Sequence, residues 1–387
     1  MKSIYLDHTA TTPLDQRVLE AMIPYFGVVF GNASSVHAFG RAAKAALEES
    51  RASIAAALGA ATGELYFVSG GTESDNLALL GTWRAAKPRH RDAVVVGATE
   101  HHAVLDTAEA LEHMGGTCRI AQASADGSIT ASAVEGLLDS RTALVSVMHA
   151  NNEVGTINPV AEVAAAAHAA GAAVHTDAVQ TLGKISVDVD ALGVDLLSVT
   201  AHKLYGPKGI GALYIRKGTE VDQLLFGGGQ ERGRRPGTEN VALAVGFARA
   251  VQIAEEMRVQ EHERLQSLRD ALEQTLTTRF PFLVVNGART HRLPHILNVS
   301  VDSHKGRVEG EMLVPTLDLE GIAVTSGSAC SSGSLQPSHV LLAMGRDEAT
   351  ARATIRFSLG RGNTREEIVE TVERVSRVLD RTVHRLS

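Results

Sequence analysis

Between about Asp15 and Arg216, hydrophobic positions fall in short β-branched runs separated by Ala-rich stretches. The runs at 65–69, 93–98, 143–149, 172–176, 195–200 and 210–215 show no strict two-residue alternation. That is the pattern of strands buried on both faces of a largely parallel sheet. One intervening stretch has readable helix ends. Asn158 is placed to cap it, Pro159 to occupy its first position, and Gly171 to follow its last turn. Strands alternating with helices predict a doubly wound α/β sheet.

From 241 to about 278 the chain reads as one long helix, apolar in its first half and charged in its second. Beyond it come strands at 296–301, 322–325 and 354–359 and two helices, the last with a capping box of Thr364 and Glu367. This change of pattern predicts a large domain over 13–257 and a smaller α+β domain over 258–387, to which residues 1–12 return.

Composition narrows the function. The 387 residues are 44% hydrophobic and carry a formal net charge of -7 with no run of Lys or Arg, which argues against nucleic acid as the main ligand. Asp7 and a Thr cluster stand where a signal peptide would need its apolar core. No Ala-rich stretch is long and uninterrupted enough to span a bilayer. Two cysteines, Cys118 and Cys330, fit a reducing cytoplasm, although one disulfide is open to them.

Lys203 follows the apolar run VDLLSVT and precedes the turn Tyr205-Gly206-Pro207, which puts its amine at a strand end, where doubly wound sheets bind ligands. A lysine there can form a Schiff base with a carbonyl cofactor, although most single lysines are solvated loop residues. Asp177 ends another strand at the same edge, as a carboxylate against a pyridine nitrogen must, and Gln180 is within reach of a ring oxygen. Ser69-Gly70-Gly71-Thr72 opens a helix whose free N–H groups suit a phosphate, with Thr200 and His202 beside it. The glycine-rich stretch 227–240 lacks the spacing of a dinucleotide fingerprint and reads as a loop entering a site or a subunit interface. His101, His102, His175 and His202, which Glu100 and Asp177 could join, invite a metal reading, but no HExxH or CxxC pattern supports one, and an imidazole stacked on a cofactor or moving protons fits better. Cys330 sits in SGSACSSGS, a small-residue loop that gives a thiol nothing to pack against and every opportunity to react.

Together these residues resemble the cysteine desulfurase family, pyridoxal-phosphate (PLP) enzymes of the aspartate aminotransferase-like, fold type I architecture. The similarity runs through YLDHTATT, SGGTESDNLA, TEHHAVL, VMHANNEVGT, HTDAVQTLGK, TAHKLYGPKGIGALY, GGGQERGRRPGTEN, SGSACSSGS and TIRFSLGR, in order along nearly the whole chain. The resemblance implies that Lys203 carries PLP, that Asp177 pairs with its ring nitrogen and Gln180 with its ring hydroxyl, and that His101 stacks on the ring. His102 falls at a variable position. It implies further that Gly71, Thr72, Thr200 and His202 hold the phosphate, with Thr238 reaching in from a second subunit. Asn152 then contacts cofactor or substrate, and Arg356 takes the substrate carboxylate. Thr9 and Pro236 depart from the family pattern, and the 301–311 segment is longer than usual.

The implied reaction takes sulfur from L-cysteine, leaves a persulfide on Cys330 and releases L-alanine. The implied setting is a cytoplasmic homodimer that feeds an iron–sulfur scaffold or tRNA thiolation. The rivals are a selenocysteine lyase or another class V aminotransferase, and a binder without catalysis. A binder has no use for Cys330, His101 and Arg356 together.

Overall fold

The computed structural model describes residues 3–327 and 336–385. Its main layer is a seven-stranded sheet: β1 Leu65–Val68, β2 Ala93–Gly97, β3 Thr117–Ala121, β4 Thr142–Ser146, β5 Ala173–Asp177, β6 Leu196–Thr200 and β7 Gly211–Ile215, in the spatial order β1-β7-β6-β5-β4-β2-β3. The pairs from β6 through β3 are parallel, and β7 runs antiparallel to both its neighbours. Thus β1, β2, β4, β5 and β6 all point their C-terminal ends at one edge. Strands β1, β2, β4, β6 and β7 are buried at every residue, which accounts for their unalternating sequences. Strand β3 escapes sequence reading because it lies at the sheet's rim, half-exposed, and mixes Arg119 among apolar residues.

The helix after β4 runs Val160–Ala169 and corrects one expectation. Asn158 does not cap it. Its amide instead donates to the Met148 carbonyl at 2.7 Å and accepts from the Ile129 N–H at 2.8 Å, while Pro159 takes the cap position. A side chain recruited to tie two loops together is no longer available to the helix. Gly171 does follow the last turn, with φ +71°.

The long helix Val241–Arg279 is one continuous element of 39 residues, about 58 Å long. Its first half buries Val241, Ala244, Phe247, Val251 and Ala254 in the core beneath the large sheet, where apolar residues are needed nearly all round. Its second half offers only Leu265, Leu268, Leu272 and Leu276, a single stripe at helical spacing, to a second core. That core lies against an antiparallel sheet of Thr354–Ser358, Ile296–Val301 and Leu283–Asn286. The N-terminus joins it: Ile4–Tyr5 pairs in parallel with Ile322–Ala323, and Asp7 bridges Ser358. Residues 7–12 then cross to the edge of the large sheet, where Thr12 bonds the His202 carbonyl through both its N–H (3.1 Å) and its hydroxyl (2.8 Å).

The 227–240 loop is anchored by a buried ion pair. Both carboxylate oxygens of Glu231 take the Arg51 guanidinium, at 2.6 and 2.7 Å, and one also accepts from the Phe67 N–H at 2.9 Å. Glu231 and Arg232 are left-handed (φ 45° and 56°), a conformation that needs such an anchor. Replacing one partner strands the other charge. Glu231→Ala should therefore lose ~3–5 kcal/mol of unfolding free energy in a urea titration, and a loss below about 1 kcal/mol would show that the pair is not what holds the loop.

Candidate active site

A cavity of about 400 Å³ opens where five strand ends meet. After β1 it receives Gly71 and Thr72, after β2 His101, after β4 Asn152, from β5 Asp177 and Gln180, and from β6 Thr200, His202 and Lys203. Arg356 comes from the small antiparallel sheet and Asp7, Thr9 and Ala10 from the N-terminal crossing. Of the residues to which the resemblance gives a role, two stand apart. Thr238 lines a neighbouring cavity with Gly237, Glu239 and Asn240, and Cys330 lies outside the described residues.

Lys203 closes a short turn, Ala201–Lys203, at the end of β6. The chain then reverses at Tyr205, which is left-handed (φ 63°), with its N–H on the Thr12 hydroxyl and its own hydroxyl taking the Arg361 N–H. The Lys203 amine donates to the carbonyls of Thr9 and Ala10, at 2.5 and 2.6 Å. Burial and the nearby Arg356 cation push its pKa down to about 8, against the pull of Asp177 and Asp7. A substantial share of neutral amine near physiological pH is what a nucleophilic lysine requires.

Asp177 is buried, and one oxygen accepts the Val179 N–H at 2.8 Å. Burial raises its pKa, while that bond, His101 and Lys203 pull it back. Beside it stand two further buried acids. Burial and the Asp177 charge push Asp75 well up, and burial does the same to Glu100, although Glu100 accepts from the Met148 N–H at 2.5 Å. Each of these two keeps one oxygen without a hydrogen bond. Their environment favours the protonated forms, so the negative charge of the group is best placed on Asp177, which the Val179 N–H, His101 and Lys203 pull toward its ionised form. His175, between the hydroxyls of Ser146 (2.8 Å) and Ser198 (3.0 Å), is held neutral by burial, with a pKa of about 3.

His101 caps the following helix: its Nδ1 accepts from the Ala103 N–H at 3.0 Å, so the neutral ring carries its proton on Nε2. Burial lowers its pKa. His102 instead turns outward to Asp106, 3.1 Å away, with 57% of its side chain exposed. Arg356 donates to Asp7 Oδ1 at 2.9 Å and to the Asn152 carbonyl at 3.0 Å, and its Nε has no partner among the described residues.

Sequence reading missed several members of this site. The Thr9 and Ala10 carbonyls that hold the lysine are backbone atoms, invisible to residue type. Asp75 reads as an ordinary member of a helix-opening stretch, and Glu100 draws notice only as a companion of the histidines in the disfavoured metal reading. Only the clustering of polar residues in 7–12 hinted at the crossing segment.

The donor set fits PLP. A lysine amine of lowered pKa shares the cavity with a buried carboxylate that makes no ion pair among the described residues. The Gly71–Ala86 helix begins without a side-chain cap, leaving its first N–H groups for a phosphate. Gln180 donates to the Thr9 carbonyl at 3.0 Å, and its amide oxygen has no partner among the described residues. A side chain at position 71 would meet Val179 at 3.0 Å, so glycine suits the close approach there. Fold and donor set together define a PLP-dependent transferase.

Comparison with known proteins agrees. The aminotransferase class-V family model matches residues 4–370. The cysteine desulfurase IscS of Dictyoglomus turgidum is 45% identical over 380 residues, 98% of this chain and 95% of its own. A putative cysteine desulfurase IscS 1 of Bacillus subtilis is 46% identical over 382 residues, covering 98% and 100%. Among solved structures, a NifS-like protein superposes with a TM-score of 0.90 at 37% identity, over 98% of this chain and 99% of that one. SspA, solved in complex with cysteine, gives 0.78 at 34% identity, over 92% and 98%. This chain belongs to the class-V aminotransferase family and, within it, to the cysteine desulfurases.

Competitive labelling of the PLP-free protein with acetic anhydride should titrate Lys203 with a pKa near 8. A value near the ordinary 10.5 would contradict the environment described above.

Proposed function

We infer that the protein removes sulfur from L-cysteine with the help of PLP, passes it to Cys330 and releases L-alanine. The observation that carries this reading is the convergence of Lys203, Asp177 and Arg356 on one cavity from three separate elements. Gly71, Thr72, Thr200 and His202 are placed to hold the cofactor's phosphate, Gln180 its ring hydroxyl and Asp177 its ring nitrogen. When bound, PLP supplies an electron sink for the pair left on the substrate carbon.

The chain's own residues do the rest. Lys203 anchors the cofactor and, once displaced by substrate, takes the α-proton, a task for which its lowered pKa suits it. Arg356, steadied by Asp7 and the Asn152 carbonyl, receives the substrate carboxylate. His101 offers or takes a proton at Nε2, because its Nδ1 is already committed to the Ala103 N–H. The Cys330 thiolate attacks the substrate sulfur, so that an S–S bond forms as the C–S bond breaks. The electron pair stays with the substrate carbon, which takes a proton and becomes the methyl group of alanine. Gly327 and His339, on either side of the cysteine segment, both line the cavity. Cys118 is a poor alternative nucleophile, since burial raises its pKa to about 11.

The same reading makes the protein a homodimer. Phe26, Val28, Phe30, Val36 and Phe39 are exposed within a short stretch, as are Leu225 and Phe226 beside the 227–240 loop, a load of apolar surface that a second copy would cover. Thr238 then serves the partner's phosphate site. No helix among the described residues is long and apolar enough to cross a membrane. We place the enzyme in the cytoplasm, delivering sulfur to an iron–sulfur scaffold or to tRNA thiolation.

After treatment with L-cysteine, mass spectrometry should find the added sulfur on the peptide holding Cys330. Sulfur on Cys118 instead, or wild-type alanine release by Cys330→Ala, would refute the assignment.

His101→Ala should lower turnover by ~10²–10⁴-fold, while His102→Ala stays within about twofold. The reverse order would mean that the outward-facing histidine does the work.

A further inference from the structure

Behind Lys203, on the side away from the large cavity, lies a second, smaller one of about 40 Å³ between the long helix, Gly183–Lys184 and the residues around His295. A single water needs roughly 10–15 Å³ by the same measure, so the space admits something larger. Its wall is lined by basic side chains. His8, Lys184, His295, Arg258 and Arg361 share it with a single lining carboxylate, Glu261, whose two oxygens are already taken by Arg264 at 2.8 Å each, while Arg258 pairs with Glu255 at 2.8 Å.

Hydrogen-bond donors there outnumber acceptors. Lys184 makes one bond, to the Lys203 carbonyl at 3.2 Å, which leaves two of its N–H groups free. His295 is 1% exposed, and neither ring nitrogen has a partner among the described residues. Whichever tautomer it adopts, one N–H goes unmatched. His8 gives one ring nitrogen to the Ser358 carbonyl, and Arg361 reaches Asp15 at 3.2 Å. We propose that this cavity binds a small inorganic anion of about chloride size, held between Lys184 and His295. A water accepts at most two hydrogen bonds from these groups and brings two donors of its own, whereas an anion accepts from the Lys184 amine and the His295 N–H together and favours the charged form of the amine. The crowding is also felt in titration: burial, with Lys203 and Arg361, pushes Lys184 down to about 7, and burial, with Lys184 and His8, pushes His295 well down. Because Lys184 grips the Lys203 carbonyl, such an anion would brace the catalytic turn from behind.

Crystals of the PLP-loaded protein grown in sodium bromide test this directly. We expect an anomalous bromine peak in the cavity, in contact with the Lys184 amine and the His295 ring. At matched ionic strength, Tm should be about 2–4 °C higher in sodium chloride than in sodium gluconate, and Lys184→Met should abolish that difference. Bromine peaks at surface positions only, cavity density without anomalous signal, or an unchanged chloride effect in Lys184→Met would overturn the proposal. Should Lys184→Met fail to fold, the wild-type bromide crystal decides.

Discussion

The constraint on which the site depends is a carboxylate that burial would rather neutralise. Asp177 sits at the end of β5 beside two further buried acids, Asp75 and Glu100, and burial opposes charge on all three. Three negative charges in such a place are not sustainable, and one is sustainable only against a cation. Within the chain only the Val179 N–H and the pull of Lys203 and His101 support it, and burial weakens the charge on both of those partners. On the proposed function a protonated ring nitrogen would complete that support, and the acid that burial destabilises when alone would become the group that fixes and activates the cofactor. The same burial works in the opposite sense on Lys203, favouring the neutral amine. One physical effect thus tunes both poles of the site.

Holding those poles in register falls to backbone as much as to side chains. The N-terminal crossing begins in the small antiparallel sheet, where Thr9 bonds the Ser358 hydroxyl through its N–H and shares a hydrogen bond with it through its own hydroxyl, each at 3.0 Å. It ends over the large sheet with its carbonyls on Lys203 and Gln180. Arg356 makes the converse journey, from the small sheet to Asp7 and Asn152. Together with the long helix that feeds both cores, these ties couple the position of Lys203 to that of Arg356, the proposed seat of the substrate carboxylate. Thr9, a departure from the family pattern, adds a hydroxyl to this seam.

Much of this was legible in the sequence, for identifiable reasons. Strands buried on both faces betray themselves by unbroken β-branched runs, and their ends, carrying Asp177, Lys203 and Gly71–Thr72, converge because parallel strands must share an edge. Rim strand β3 was not legible, since a half-exposed edge needs no such run. The role of Asn158 was misread because local spacing suggests a cap, whereas its amide is claimed by Met148 and Ile129 from elsewhere in the chain. The acids Asp75 and Glu100 also stayed hidden. Their significance lies in the depth of their burial, which no local pattern records.

The central claim is that Asp177 is ionised against a protonated ring nitrogen. Nitrogen-15 NMR of protein loaded with ring-labelled PLP tests it most directly. The account predicts a protonated nitrogen in the wild type from about pH 6 to pH 9, and an unprotonated one in Asp177→Asn. An unprotonated ring nitrogen in the wild type would contradict it.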